Sequence, residues 1–124
     1  MPDRRAILSL LPLPFLLGAW TLFHIELRTS FPAADQVLED APQEIRLEFS
    51  TTPDTARSTF SVRGPDGGIR LDTIRWNAVD EPAVLRARVV GEMPPGDYLI
   101  SWVAAPVDDH GGRGRISFSI AGGN

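Results

Sequence analysis

The chain is predicted to be all-β: an immunoglobulin-like, antiparallel Greek-key β-sandwich of about seven strands, preceded by an N-terminal hydrophobic leader. Three observations lead there. From residue 24 onward apolar and polar residues alternate with period two, as in strands buried on one face. Turn residues interrupt this alternation about every eight to twelve positions, the spacing of sandwich strands. No stretch carries a convincing helical period to compete with it.

The leader comes first. Arg4 and Arg5 precede residues 6–23, AILSLLPLPFLLGAWTLF, which carry no charge over 18 positions. A basic start and an apolar middle form the layout of an export signal. Pro12 and Pro14 interrupt a continuous helix, and the run lies at the short limit for a membrane span. Residues 1–23 are therefore read as a signal peptide or membrane anchor, and residues 24–124 as the sandwich domain. Leu17-Gly18-Ala19 is the best small-residue match to a cleavage site. On either reading the domain is expected outside the cytoplasm. A retained leader would anchor it in the inner membrane through residues 6–23.

Within the domain, residues 24–30 set Ile25 and Leu27 against Glu26 and Arg28, and residues 31–35 read as a turn. Residues 36–42 read as a connection. Residues 44–50 are the cleanest strand, with Ile45, Leu47 and Phe49 inward and Glu44, Arg46 and Glu48 outward. Residues 57–63 place Phe60 and Val62 on one face. The stretch Gly64-Pro65-Asp66-Gly67-Gly68 is a tight turn, Asp66-Gly67 being a strong hairpin signal. Residues 69–72 and 74–76 are expected to continue that hairpin. Residues 84–90, 98–103 and 115–120 complete the set. Trp102 is the expected core aromatic, whereas Trp76, beside Asn77 near a loop, is expected to be partly buried.

Composition narrows the function. At 124 residues with 43% apolar content, the chain is one domain with one modest core. A net charge of −4 and a pI near 5.0 argue against nucleic acid as a partner. There is no cysteine, hence no disulfide and no thiolate metal site. Met1 and Met93 are the only methionines, too few for a thioether Cu(I) site. Phosphate loops, nucleophile elbows and His-Glu-x-x-His are absent from the sequence.

The remaining chemistry lies with two histidines. His24 opens the first strand after the leader, and His110 follows Asp108 and Asp109 in the loop between the last two strands. First and last strands can meet in an immunoglobulin-like sandwich, so these positions could converge at one end. Two imidazoles and a carboxylate suit Cu(II) in a tetragonal plane, and zinc would take the same atoms tetrahedrally. Spacing alone favours the plainer reading: an exposed loop histidine, a strand-start histidine with a satisfied ring, and two aspartates bonding local amides.

Three stretches carry a resemblance. They are the run from His24 to Ala33 (HIELRTSFPA), the run from Ala41 to Ser50 (APQEIRLEFS), and Pro94-Pro95-Gly96-Asp97-Tyr98 with Ser101-Trp102, leading to Asp108-Asp109-His110, Gly114 and Phe118. Together they resemble the CopC family of periplasmic copper-binding, copper-resistance proteins, in order and over residues 24–124. The resemblance implies a Cu(II) site in which His24, if it is the mature N-terminus, supplies amine and imidazole. Asp108 would supply a carboxylate and His110 a second imidazole. The methionine-rich Cu(I) loop of some members has no counterpart here. Asp109 stands where the family has glycine and could replace Asp108 as ligand. The exit Gly111-Gly112-Arg113 is expected to be looser than usual. Phe23 precedes His24, so a cut after Ala19 would leave His24 without a free amine.

The leading expectation is a non-enzymatic copper-binding protein of the cell envelope, serving copper resistance, buffering or transfer to an inner-membrane copper transport protein. The alternative is a metal-free, membrane-anchored sandwich acting as an interaction module. An oxidative copper enzyme built on an N-terminal histidine brace is a third class. The acidic loop, with few aromatics about it, offers such an enzyme no evident substrate surface.

Overall fold

The computed structural model describes residues 25–78 and 81–122, giving the backbone path alone for residues 76–78, 81 and 82. The predicted all-β sandwich is the fold observed. Among the described residues nine strands form two sheets: β1 Leu27–Phe31, β2 Gln36–Leu38, β3 Glu44–Phe49, β4 Thr59–Gly64, β5 Gly67–Gly68, β6 Arg75–Ala78, β7 Glu81–Arg88, β8 Gly96–Ala104 and β9 Gly112–Ile120. One sheet has the order β1-β3-β7-β6, the other β2-β9-β8-β4-β5.

Alternation explains the core. Ile45, Leu47 and Phe49 of β3, Leu85 and Ala87 of β7, and Phe60 and Val62 of β4 are all buried. So are Tyr98, Ile100, Trp102 and Ala104 of β8, and Ile116, Phe118 and Ile120 of β9. Because the side-chain period is two, each of these five strands turns one apolar row toward the other sheet. Phe49 meets Trp102 across the sandwich edge to face, with ring centroids 5.2 Å apart at 69°. Tyr98 stacks on Phe118 at 5.2 Å and 12°. Both geometries suit the aromatic quadrupole. Trp102 is the expected core aromatic. Its indole lies against Gly114 of β9, where a Cβ would stand 2.8 to 2.9 Å from the ring. The glycine of the resemblance motif is thus the space that the tryptophan occupies. The side chain of Trp76 lies outside the described residues.

Three departures from the expected strands matter. Residues 36–42 are more than a connection: β2 pairs with β9, Gln36 opposite Phe118 and Leu38 opposite Ile120. That pairing is parallel, in an otherwise antiparallel arrangement, and only three residues long. So short a run carries too few alternations to be read as a strand. The Asp66-Gly67 hairpin continues only as far as Ile69, whose amide donates to the Val62 carbonyl at 2.9 Å, and not through residues 70–76 as expected. The chain leaves β5 after two residues, and Leu71 bridges to Val89. β6 then pairs with β7 in the opposite sheet. Asp72 secures this crossing, its carboxylate accepting from the Arg88 amide at 2.9 Å and the Arg75 guanidinium at 3.0 Å. The amide bond, followed by that guanidinium, holds its pKa below the usual carboxylate value. Finally, the strand expected over residues 57–63 begins two residues later, after a single 3₁₀ turn, Thr55–Arg57.

Candidate metal centre

β8 and β9 are neighbours in register over their full length, from Gly96 opposite Ile120 to Ala104 opposite Gly112. The loop between them, residues 105–111, therefore leaves one rim of the sandwich as a closed excursion. It carries Asp108, Asp109 and His110. Asp108 and His110 are exposed and Asp109 is half-buried.

The loop is pinned from below. The Ala105 amide donates to Ser58 Oγ at 3.0 Å, and the Ala105 carbonyl accepts from the Asp54 amide at 2.7 Å. Arg57 donates from Nη1 to the carbonyl of Pro106 at 2.9 Å and from Nη2 to that of Asp109 at 3.1 Å. A longer Nη1 contact reaches the carbonyl of Val107 at 3.4 Å. The supporting segment is itself ordered by Asp54, whose carboxylate accepts from the Ala56 amide at 3.1 Å as a cap on the 3₁₀ turn. At the other end of the loop Gly111 touches the chain closely. A Cβ there would meet the Ala104 carbonyl oxygen and stand 2.7 Å from the Ala105 Cβ. The expectation of a loose exit is corrected by this contact: the first glycine is fitted against β8, and Gly112 and Arg113 already belong to β9.

The two aspartates differ in their engagement. One carboxylate oxygen of Asp109 accepts from the His110 amide at 2.6 Å, a local bond of the kind short acidic side chains make in turns. Asp108 has no hydrogen bond or ion pair among the described residues. Its carboxylate and the His110 imidazole are thus the loop's open donors.

The chain enters the described fold at this same rim. Ile25 is buried, and its carbonyl oxygen stands 3.6 Å from where a Cβ on Gly112 would lie. The Glu26 amide donates to Ser50 Oγ at 2.9 Å and the Ser50 amide to the Glu26 carbonyl at 2.8 Å. The residue following His24 is therefore fixed beside the residue two positions after His110. His24 itself lies outside the described residues, as do the leader and its cleavage site. Among the described residues no group of three or more His, Cys, Asp or Glu stands together as a metal cluster, and no helix is long and apolar enough to cross a membrane. Of the three ligands that the resemblance implies, the described structure places two, Asp108 and His110, on one loop.

Sequence reasoning missed Arg57, placed there at the head of a strand. Its signal was the preceding Pro53-Asp54 pair, a breaker followed by a capping residue.

A two-sheet β-sandwich that presents an Asp-Asp-His loop on one rim is the class of domain that the fold and the site define. The chain belongs to the CopC domain family, whose model matches residues 27–121. It is 30% identical over 98 residues to Protein YobA of Escherichia coli K12, covering 78% of each chain. Protein YobA of Shigella flexneri matches to the same extent. Among solved structures it is similar to PcoC, a methionine-rich copper resistance protein from Escherichia coli. That likeness has a TM-score of 0.69 and 25% identity over 78% of this chain and 98% of that one. CopC from Methylosinus trichosporium OB3b shares the fold with a TM-score of 0.66 and 19% identity, over 82% of this chain and 97% of that one. The methionine richness of PcoC is not shared, since Met93 is buried and Met1 is the only other methionine.

Proposed function

We propose that this protein binds Cu(II) in the cell envelope, buffering the ion or handing it to an inner-membrane transport partner. His24, Asp108 and His110 would be the ligands. The observation that carries the reading is the convergence at one rim: the residue after His24 is fixed beside the strand that begins two residues after His110. Family membership and the likeness to a copper resistance protein support it.

The donor chemistry fits the cargo. Imidazole nitrogen and carboxylate oxygen suit Cu(II), whereas Cu(I) would seek thiolates or thioethers that this chain does not bring together. Asp108, with its carboxylate free, is the better oxygen donor. Asp109, bonded to the His110 amide, shapes the turn. The acidic character of the loop draws a divalent cation toward it. Nothing in this role needs a catalytic residue. The ion is cargo, and its release depends on ligands near the surface.

The test uses protein recovered from the envelope, so that its N-terminus is the native one, established by sequencing. After one equivalent of Cu(II), the EPR spectrum should show nitrogen hyperfine coupling that weakens in His110→Ala. A spectrum without nitrogen coupling, or one unaltered by His110→Ala, rejects the site. A native N-terminus at His24 adds the amine as a further donor. A start elsewhere leaves the imidazoles and carboxylate alone and a weaker site.

A further inference from the structure

Arg57 lies 49 residues before Pro106 in the chain, yet its guanidinium spans the underside of the Asp-Asp-His loop. It takes the carbonyls of Pro106, Val107 and Asp109, which flank Asp108 on both sides. A planar fork with five N–H donors can hold several carbonyls in a fixed relation, which a lysine ammonium cannot reproduce. Ala105 is held by Ser58 and Asp54, and the His110 amide by Asp109, so the loop backbone is held on both sides of Asp108. Two consequences follow for any ion that arrives. The carbonyl oxygens of Ala105, Pro106, Val107 and Asp109, hard donors of the kind favoured by Ca²⁺ and Mg²⁺, are already accepting bonds. The side chains of Asp108 and His110, both exposed, are presented from a backbone that need not be ordered on binding.

We propose that Arg57 is the positioning residue of the copper loop, fixing its backbone so that it offers the side chains of Asp108 and His110 to Cu(II) rather than the carbonyls of Pro106, Val107 and Asp109. This rests on the copper reading above. A positive charge beside a cation site makes the inference sharp in sign. If Arg57 acted only through its charge, removing it would tighten copper binding, because a like charge would be gone. If it positions the loop, removing it weakens binding in spite of that relief.

The test compares the full chain with Arg57→Gln and Arg57→Lys. Copper affinity is measured by chelator competition, the coordination by EPR, and loop order by amide hydrogen exchange without copper. Outer-shell partners of metal ligands typically contribute about 10- to 100-fold in affinity. Arg57→Gln should lose at least about tenfold on that scale, replace one EPR species by several, and exchange faster at residues 107–111. Exchange in the β8–β9 ladder should stay slow, showing that the fold persists. Arg57→Lys, which keeps the charge and loses the fork, should fall between. Unchanged or tighter copper binding in Arg57→Gln, or unchanged exchange in the loop, overturns the inference. Wild-type protein lacking His110-dependent nitrogen coupling would instead remove the copper reading itself. Those two failures are told apart before any Arg57 variant is made.

Discussion

Asp108 and Asp109 are adjacent, identical in chemistry and indistinguishable in the sequence pattern, yet their surroundings assign them different work. Asp109 is half-buried and accepts from the His110 amide at 2.6 Å, so its charge is spent on the turn. Asp108 is exposed with no partner among the described residues and is free to meet an ion. Replacing each by asparagine should separate the roles. Asp108→Asn removes an anionic donor directly and should weaken Cu(II) by at least about tenfold, since even outer-shell losses reach that scale. Asp109→Asn keeps an acceptor for the His110 amide and should cost less. Chelator competition on the two variants checks the order, and a larger loss in Asp109→Asn would transfer the ligand role to it. A sequence reading leaves the choice open because both residues sit in the same loop and differ only in burial and a hydrogen bond.

The element that most shapes the site is the short one between β3 and β4, not the strands that bear the loop. Residues 57–63 read as a strand because Phe60 and Val62 alternate correctly, and that much holds. Arg57 instead closes the 3₁₀ turn Thr55–Arg57, because Asp54 caps the Ala56 amide and the Asp54 amide is committed to the Ala105 carbonyl. A three-residue 3₁₀ turn has no periodicity to detect, so only its breakers announce it. Ser58 joins this turn to the loop: it is 8% exposed, with its Oγ accepting from the Ala105 amide at 3.0 Å. Ser58→Ala leaves that amide buried without its partner. The expected cost is about 1–3 kcal/mol, the penalty for an unsatisfied buried donor, read as a lower midpoint in denaturant at constant slope. The same variant should loosen residues 105–107 in hydrogen exchange. A midpoint within error of wild type would show that water or a shifted backbone satisfies Ala105, and that the brace rests on Asp54 and Arg57 alone.

At the scale of the whole molecule the sandwich was legible, because burial on one face imposes alternation on every long strand. Ile45, Leu47 and Phe49 turned inward as their spacing required. The crossing from β5 to β6 was not legible: a hairpin and a change of sheet both follow a Gly-rich turn with alternating residues, and only long-range pairing with β7 decides between them. The rim that gathers the chain entry, the end of β3 and the Asp-Asp-His loop is likewise a product of that long-range pairing. On the proposed copper reading, the ion has a measurable hold on stability. An ion bound by the folded rim and not by the separated segments stabilises the native state by mass action, about 2.7 kcal/mol when free copper is 100 times its dissociation constant. For a domain near 100 residues each kcal/mol moves the melting temperature by about 4–8 °C. The full shift should therefore be on the order of 10–20 °C, reduced by any copper that unfolded histidines hold. It should grow with the logarithm of copper concentration and shrink in His110→Ala. A metal-free interaction module would melt at the same temperature with and without copper. Thermal scans at several Cu(II) concentrations separate the two readings even if the identity of each ligand is left aside, because the linkage depends only on the ion preferring the folded rim.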